Sequence, residues 1–283
     1  MSVDDPATSL VRESRAERTW FERIGPARVR VRTVGDAGEC PPLLMLMGIG
    51  GNLDMWRPLV DHLPGRQVVM FDFPGTGGSS APFLPPTMAV NAAFVRVLMG
   101  RLGLRRADVL GYSWGGILAQ HLAAQHPGAV RRLVLAATAA GLGSLPGSPW
   151  VLAQLMSPKR YYSQSHFRRV APRLYGGRYR SDPDLLHAHA DDRLGRPPSP
   201  LGYLGQLAAV TGYSTFPLLW AIRARTLVLA GTDDPIIPTV NPRLMAKLIR
   251  GSTLDLVPGA GHLLLIDSPE TSAERIDRFL SAP

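Results

Sequence analysis

A serine between two glycines is the first feature of this sequence that could carry covalent chemistry. Ser113 is the middle residue of Gly111-Tyr-Ser-Trp-Gly115, which follows an apolar run and precedes a helical pattern. A sharp turn from strand to helix strains the serine backbone, and only glycine fits two residues before and after it. The hydroxyl then stands exposed, so we expect Ser113 to act as a nucleophile in acyl transfer. An ordinary turn serine would not need this strand and helix around it.

A serine nucleophile needs a base, and the base needs an acceptor that fixes its tautomer. In a sheet of this kind the order along the chain is serine, acid, histidine. We expect His262 to be the base, because it alone of the seven histidines lies beyond the last apolar strand and its loop. The acid should follow the strand Leu227–Ala230, where Asp233 and Asp234 are adjacent. Asp234 precedes a proline, which restricts its backbone, so we predict Asp234 as the acid and Asp233 as a turn cap.

The negative charge that develops on a carbonyl oxygen during acyl transfer needs two N–H donors. We predict that one is the backbone amide of Trp114, directly after the nucleophile. The other should come from the glycine turn that follows the apolar run Leu43–Met47, where Ile49 comes after Gly48.

These residues need a scaffold in which strands and helices alternate. We predict a helix at 89–102 and buried strands at the apolar runs 43–47, 67–72, 107–110, 130–137 and 224–230. Such alternation predicts an α/β fold with a mostly parallel, doubly wound sheet. Residues 29–34 alternate apolar and polar side chains, which predicts an edge strand of a hairpin.

The positions of the predicted strands divide the chain into three parts. Residues 1–20 lack apolar periodicity and are predicted to form a loose basic arm. We predict that residues 21–141 and 224–283 form the core and that residues 142–223 form a helical lid inserted between two strands. The lid is rich in aromatic residues, most of which should pack on the sheet while a minority line a substrate cleft. Tyr161 and Tyr162 are the first candidates for contact with a bulky substrate.

Composition excludes several classes of function. The 283 residues are 45% hydrophobic with a net charge of +9, and no apolar run approaches the length of a membrane span. The basic residues cluster in two segments but occur without any nucleic-acid-binding motif, so we expect a solvated face and no nucleic-acid partner. The clusters contain Arg12, Arg15, Arg18, Arg23, Arg28, Arg30 and Arg32, and then Lys159, Arg160, Arg168, Arg169, Arg173, Arg178 and Arg180. Acidic residues near the first methionine and the lone Cys40 predict a cytoplasmic protein.

No cofactor or metal is predicted. The glycine turn at 48–52 lacks the spacing of a dinucleotide-binding fingerprint. His187 and His189, with Asp191 and Asp192, resemble a metal cluster, but on a helix the two histidines would face nearly opposite sides.

With these residues in place, the chain resembles the α/β-hydrolases, and among them the intracellular poly(3-hydroxyalkanoate) depolymerases of the medium-chain-length type. The resemblance covers the serine, acid and histidine motifs and also parts of the lid. The lid stretches are Ser157-Pro158, Arg160-Tyr161, Ser165-His166, Ala171-Pro172 and Tyr175-Gly176-Gly177. One departure is Met47, which stands before the oxyanion glycine where such enzymes usually carry a polar residue.

The resemblance implies a serine hydrolase that cleaves 3-hydroxyacyl esters with Ser113, Asp234 and His262. Its substrate would be a small molecule or a polyester, and the sequence leaves open whether the protein associates with hydrophobic polymer granules. Other substrates are compatible with the same residues: a general carboxylesterase, an acyl-lipid hydrolase, a thioesterase or a cofactor-free perhydrolase. A hydrolase-like receptor or scaffold without catalysis is the alternative of another class.

Overall fold

The computed structural model describes residues 15–63, 65–81 and 87–282. In this part of the chain, one sheet of eight strands runs in the order β1-β2-β4-β3-β5-β6-β7-β8. The strands are Glu17–Ile24 (β1), Ala27–Val34 (β2), Leu43–Leu46 (β3), Val68–Phe71 (β4), Ala107–Tyr112 (β5), Val130–Ala136 (β6), Arg225–Gly231 (β7) and Thr253–Val257 (β8).

The sheet is mostly parallel, as predicted. From β4 through β8 every neighbouring pair is parallel, whereas β1, β2 and β4 pair antiparallel. Every residue of β3, β4 and β5 is buried, because helices cover both faces of a parallel sheet. The apolar runs of the sequence therefore become the centre of the sheet.

The helices are α1 to α10, with 3-10 turns between them. Their bounds are Arg57–Val60 (α1), Met88–Arg101 (α2), Trp114–Gln125 (α3), Pro149–Leu155 (α4), Gln164–Tyr175 (α5), Pro183–Leu194 (α6), Pro200–Val210 (α7), Val240–Leu248 (α8), Leu264–Asp267 (α9) and Pro269–Ser281 (α10). The 3-10 turns are Leu53–Trp56, Pro158–Tyr161, Gly177–Arg180 and Phe216–Ala221. Apolar side chains of α2, α3 and α8 pack in one buried cluster, and those of α1, α5, α9 and α10 pack in another.

The beginning of the chain differs from the prediction in two ways. The hairpin strand predicted at 29–34 is β2, but β2 is not at the edge, because β1 pairs with it over its whole length. The strand β1 begins at Glu17, so the last residues of the predicted loose arm, 17–20, belong to the edge strand. Residues 1–14 of that arm lie outside the described part.

Two arginines of the predicted solvated face are buried. Arg30 is 4% exposed and forms ion pairs with Asp54 at 2.7 Å and with Asp72 at 3.3 Å. Arg160 is 2% exposed. Only part of each basic cluster is therefore a charged surface.

Helices α4 to α7 lie between β6 and β7, in the segment predicted as an insertion. The tyrosines of this segment contact the loops at the carboxyl ends of the strands: the Tyr161 hydroxyl donates a hydrogen bond to the carbonyl of Ile49, and the carbonyl of Tyr175 accepts one from the amide of His262. The described residues include no helix that combines the length and the apolarity needed to cross a bilayer.

Candidate active site

Ser113 occupies a strained turn between β5 and α3. Its φ and ψ angles are 54° and −117°, in a region that residues with a Cβ atom rarely adopt. The flanking glycines are required by space, since a Cβ on Gly115 would lie 2.1 Å from the carbonyl oxygen of Leu46 and one on Gly111 would lie 2.6 Å from the Cβ of Ala119. The predicted strand, turn and helix are therefore present.

His262 lies between Ser113 and Asp234 and contacts both. Its Nε2 atom is 3.1 Å from Ser113 Oγ, and its Nδ1 atom is 2.8 Å from Asp234 Oδ2. An ionised carboxylate can only accept, so Nδ1 carries the proton and Nε2 is left as the acceptor for the serine hydroxyl. Such an arrangement can draw the proton from Ser113 as its oxygen attacks a carbonyl carbon.

The two adjacent carboxylates point in different directions. The other oxygen of Asp234, Oδ1, accepts hydrogen bonds from the amides of Ile236 at 2.8 Å and Ile237 at 2.9 Å, which fixes the carboxylate toward His262. Asp233 instead accepts a hydrogen bond from the amide of Gly177 at 2.8 Å and pairs with Arg180 at 3.2 Å. Asp233 thus fastens the inserted segment to the loop after β7, which differs from its predicted role as a turn cap.

Tyrosines from the core and from the inserted segment hold His262. The amide of His262 donates to the carbonyl of Tyr175 at 2.7 Å, and the hydroxyl of Tyr112 donates to the carbonyl of His262 at 3.2 Å. The Tyr175 ring stacks on the imidazole, with centroids 6.4 Å apart and an interplanar angle of 17°. Burial raises the pKa of Tyr112 well above its usual value, so its hydroxyl remains a donor.

The glycine turn after β3 lies beside the serine. A Cβ on Gly48 would lie 3.3 Å from that of Ser113, and Ile49 and Trp114 line the same cavity as Ser113. The turn is held from the inserted segment, because Gln206 Oε1 accepts a hydrogen bond from the amide of Gly50 at 2.7 Å. Ile49 and Trp114, the residues whose amides are predicted as oxyanion donors, thus both line the cavity that contains the serine.

A second anchor of this turn is Asp72, which is fully buried. Its carboxylate accepts hydrogen bonds from the amides of Leu53 at 2.6 Å and Gly78 at 2.7 Å, and it pairs with Arg30. Met47, the departure from the family pattern, is 2% exposed and packs in the apolar core. Support for the turn comes from Asp72 and Gln206, so it does not require a polar side chain at position 47.

The serine opens into a largely apolar cavity of about 170 Å³. This is space for on the order of ten waters, and therefore for a small organic substrate. The walls come from both the core and the inserted segment. Residues of the segment that line it are Leu155, Arg160, Tyr161, Tyr175, Arg193, Leu207 and Val210.

Sequence reasoning gave no role at this site to Asp72, Tyr112, Arg193 and Gln206, and it named Tyr175 only among the aromatic residues of the lid. Only Asp72 carried a signal, since it follows an apolar strand and precedes a glycine-rich turn. The histidine and aspartate group that was rejected as a metal cluster lies partly outside the described residues, which exclude the side chains of His187, Asp191 and Asp192. The ring of His189 is hydrogen-bonded to the Tyr179 hydroxyl at 2.7 Å.

Comparisons with known proteins agree with this architecture. The sequence profile of the alpha/beta hydrolase fold matches residues 41–269. The chain is 43% identical over 240 residues to a poly(3-hydroxyalkanoate) depolymerase of Ectopseudomonas oleovorans, covering 84% of each chain. It is 27% identical over 280 residues to a proline iminopeptidase of Lactobacillus helveticus, covering 88% of this chain and 92% of that protein.

A solved structure has a similar fold. The crystal structure of an enol-lactonase from Burkholderia xenovorans LB400 is similar, with a TM-score of 0.80 and 26% identity over 93% of this chain and 100% of that one. The names of these relatives cover different substrates, so the shared fold does not by itself select one.

Proposed function

Because the chain belongs to the alpha/beta hydrolase fold family, we propose that it is a serine hydrolase of carboxylic esters whose triad is Ser113, His262 and Asp234. The observation that carries this proposal is the position of His262, 3.1 Å from the serine oxygen and 2.8 Å from the carboxylate. A serine, an imidazole and a buried carboxylate in this order are what an acyl-enzyme mechanism needs.

The reaction proceeds in two halves. Ser113 Oγ attacks the ester carbonyl carbon while His262 Nε2 takes its proton, and the amides of Ile49 and Trp114 donate to the carbonyl oxygen as it becomes negative. The C–O bond then breaks, and the proton passes from His262 to the leaving alkoxide. In the second half a water loses its proton to His262 and attacks the acyl carbon. The acid departs, and Ser113 Oγ recovers the proton.

We propose a poly(3-hydroxyalkanoate) depolymerase that releases 3-hydroxyalkanoic acids. The relative with 43% identity supports this substrate class, and an apolar cavity suits the alkyl side chains of such polyesters. In this proposal the inserted segment at 142–223 is a lid, beneath which a polymer chain end reaches Ser113.

Product analysis with parallel substrates tests the proposal. The protein is incubated with dispersed medium-chain polyester, short-chain polyester and a soluble p-nitrophenyl ester, and the released acids are identified. We expect 3-hydroxyalkanoic acids from the medium-chain polymer, and we expect Ser113→Ala to abolish their release.

The same experiment separates the alternatives. Turnover of soluble esters without any polyester product would favour a general carboxylesterase or a thioesterase. Absence of all turnover, with a folded protein, would favour a receptor or scaffold.

A further inference from the structure

Two arginines line the cavity that contains Ser113. Arg160 and Arg193 are 2% and 4% exposed, and both come from the inserted segment. A guanidinium stays charged in proteins, so the cavity wall carries two buried positive charges. Buried charges are normally paired with an opposite charge, which makes their partners informative.

The partners of Arg160 explain its burial structurally. Its guanidinium donates to the carbonyls of Gln154 at 2.9 Å and Ser157 at 2.8 Å, and to the Tyr203 hydroxyl at 2.8 Å. These contacts join the end of α4 to α7. Arg160 thus serves mainly to hold the inserted segment together.

Arg193 has fewer partners. Its guanidinium donates to the hydroxyl of Tyr175 at 3.0 Å, and its Cζ atom lies 4.7 Å from the ring centroid of Tyr161, 5.0 Å from that of Tyr175 and 5.2 Å from that of Phe167. Aromatic faces stabilise a cation in part. Among the side chains that the structure describes, no carboxylate forms an ion pair with Arg193.

A guanidinium offers five N–H donors in a planar fork, and this fork matches a carboxylate in a bidentate geometry. The ring contacts of Arg193 hold the fork in place before any ligand arrives. The cavity is therefore equipped for a ligand with an apolar body and an anionic end.

Arg193 lies on the same side of Ser113 as His262. The Tyr175 ring that it contacts stacks on His262. His262 returns the proton to the leaving oxygen, so the leaving alcohol must lie on the histidine side of the serine. In a 3-hydroxyacyl polyester, a leaving group from the chain end is itself a 3-hydroxy acid, whose carboxylate is three bonds beyond the hydroxyl oxygen.

We propose that Arg193 anchors a carboxylate subsite that recognises the free carboxyl end of a 3-hydroxyacyl chain. This rests on the proposed function. The ester bond next to that end then lies at Ser113, and each cycle releases one 3-hydroxy acid from the carboxyl terminus. The subsite makes the protein a chain-end hydrolase, for which short oligomers with a free carboxylate are better substrates than capped ones.

The test compares a dimer of 3-hydroxyoctanoic acid as the free acid and as its carboxyl-terminal primary amide, which removes the charge without adding a second ester bond. We expect wild-type protein to prefer the free acid by about 10- to 100-fold in kcat/KM, as for hydrogen bonds to a charged group, mainly through KM. Arg193→Gln should abolish this preference. Arg169→Gln, an exposed residue of α5, is the matched control and should keep it.

Inhibition gives a second readout that does not depend on polyester cleavage. Octanoate should inhibit turnover of p-nitrophenyl butyrate more strongly than octanamide, a neutral analogue of the same size without an ester bond, and Arg193→Gln should remove the difference. If the dimers are not cleaved but this difference holds, the polyester proposal fails while the subsite stands. If Arg193→Gln does not fold, Arg193→Lys takes its place, with a weaker preference expected because lysine lacks the fork.

An equal rate for the free acid and the amide in wild-type protein, together with equal inhibition by octanoate and octanamide, would overturn the proposal. So would a variant at Arg193 that lowers turnover of both dimers equally and keeps their ratio, because a purely structural arginine would do that.

Discussion

The hydroxyl of Tyr161 donates a hydrogen bond to the carbonyl of Ile49. This contact joins the inserted segment to the turn that carries a proposed oxyanion donor, across more than a hundred residues of sequence. Tyr161 is 3% exposed and lines the cavity, whereas its neighbour Tyr162 is 47% exposed. The segment therefore helps to shape the site that it covers.

Tyr161→Phe should lower kcat for a soluble ester about 3- to 10-fold with little change in KM, because one hydrogen bond that positions the Ile49 amide is lost. Tyr162→Phe is the matched control: its hydroxyl donates to the carbonyl of Pro198, away from the turn. Steady-state kinetics of both variants check the prediction. A larger loss in Tyr162→Phe would contradict it.

Ser113→Ala and His262→Ala should each reduce kcat on the order of 10⁶-fold, and the double variant should be scarcely worse, because the proposed triad acts as a unit. Ser165→Ala, an exposed serine of α5, should keep wild-type activity. Turnover of a chromogenic ester measures all four proteins. Additive losses in the double variant would mean that the two residues act independently.

Asp234→Asn should reduce kcat about 10⁴-fold, since an amide no longer holds His262 in the required tautomer. Asp233→Asn should cost less than about 10-fold, because that carboxylate contacts Gly177 and Arg180 and not the imidazole. Kinetics of the two variants side by side decide between the acids, and the reverse order of losses would show that the assignment is wrong.

The elements that were predictable are those whose signal is local. Apolar runs predicted the parallel strands β3 to β7, because burial on both faces leaves no polar alternation. The parallel strand β8 was not predicted, since most of its residues are only half-buried. The glycines around Ser113 predicted the elbow, because their missing side chains make room for Leu46 and Ala119. The order of serine, acid and histidine then selected Asp234 and His262.

What escaped sequence reasoning depends on contacts between distant residues. Arg160 is one of several arginines in a basic cluster and Arg193 lies outside both clusters, so only packing against Tyr161, Tyr175 and Tyr203 distinguishes them. β1 was missed because its side chains are half-exposed and carry four charged residues, which hides the pattern of an edge strand.

Asp267→Asn should increase the free energy of unfolding near neutral pH. Burial raises the pKa of the Asp267 carboxyl above its ordinary value, and its Oδ2 atom has no hydrogen-bond partner among the described residues. Because the folded state disfavours the ionised form, this carboxyl destabilises the fold above its raised pKa, and the penalty fades as pH falls through that pKa toward the ordinary value.

Urea unfolding of wild type and Asp267→Asn at about pH 7.5 and about pH 4 measures this effect, and the advantage of the variant should shrink at the lower pH. Glu270→Gln, a carboxylate that is 83% exposed, is the control and should change little. An advantage that grows on acidification would contradict the assigned direction.

The last prediction concerns the outer face of the inserted segment, where a polyester particle would lie in the proposed function. The exposed large side chains there are mainly aliphatic, and Met156 and Leu204 lie next to residues that line the cavity, Leu155 and Leu207. Burying each against polymer should contribute about 1 to 2 kcal/mol, because each is already half in contact with protein. The double variant Met156→Ser, Leu204→Ser should therefore bind medium-chain polyester particles at least about 10-fold more weakly, while turnover of a short soluble ester changes little.

The matched control for this surface is Val90→Ser, Val97→Ser on α2, outside the inserted segment. Those valines are 55% and 50% exposed, against 61% for Met156 and 53% for Leu204, so the two pairs expose similar fractions of apolar side chain. Sedimentation with dispersed polymer measures binding, and released 3-hydroxy acids measure hydrolysis. If both double variants lose binding equally, adsorption is not localised to the inserted segment. If the polymer's chain end enters the cavity, the apolar outer face of the inserted segment should also lie against the particle. Wild-type protein that neither binds nor degrades the polymer but turns over soluble esters would therefore show that the polyester is not its substrate.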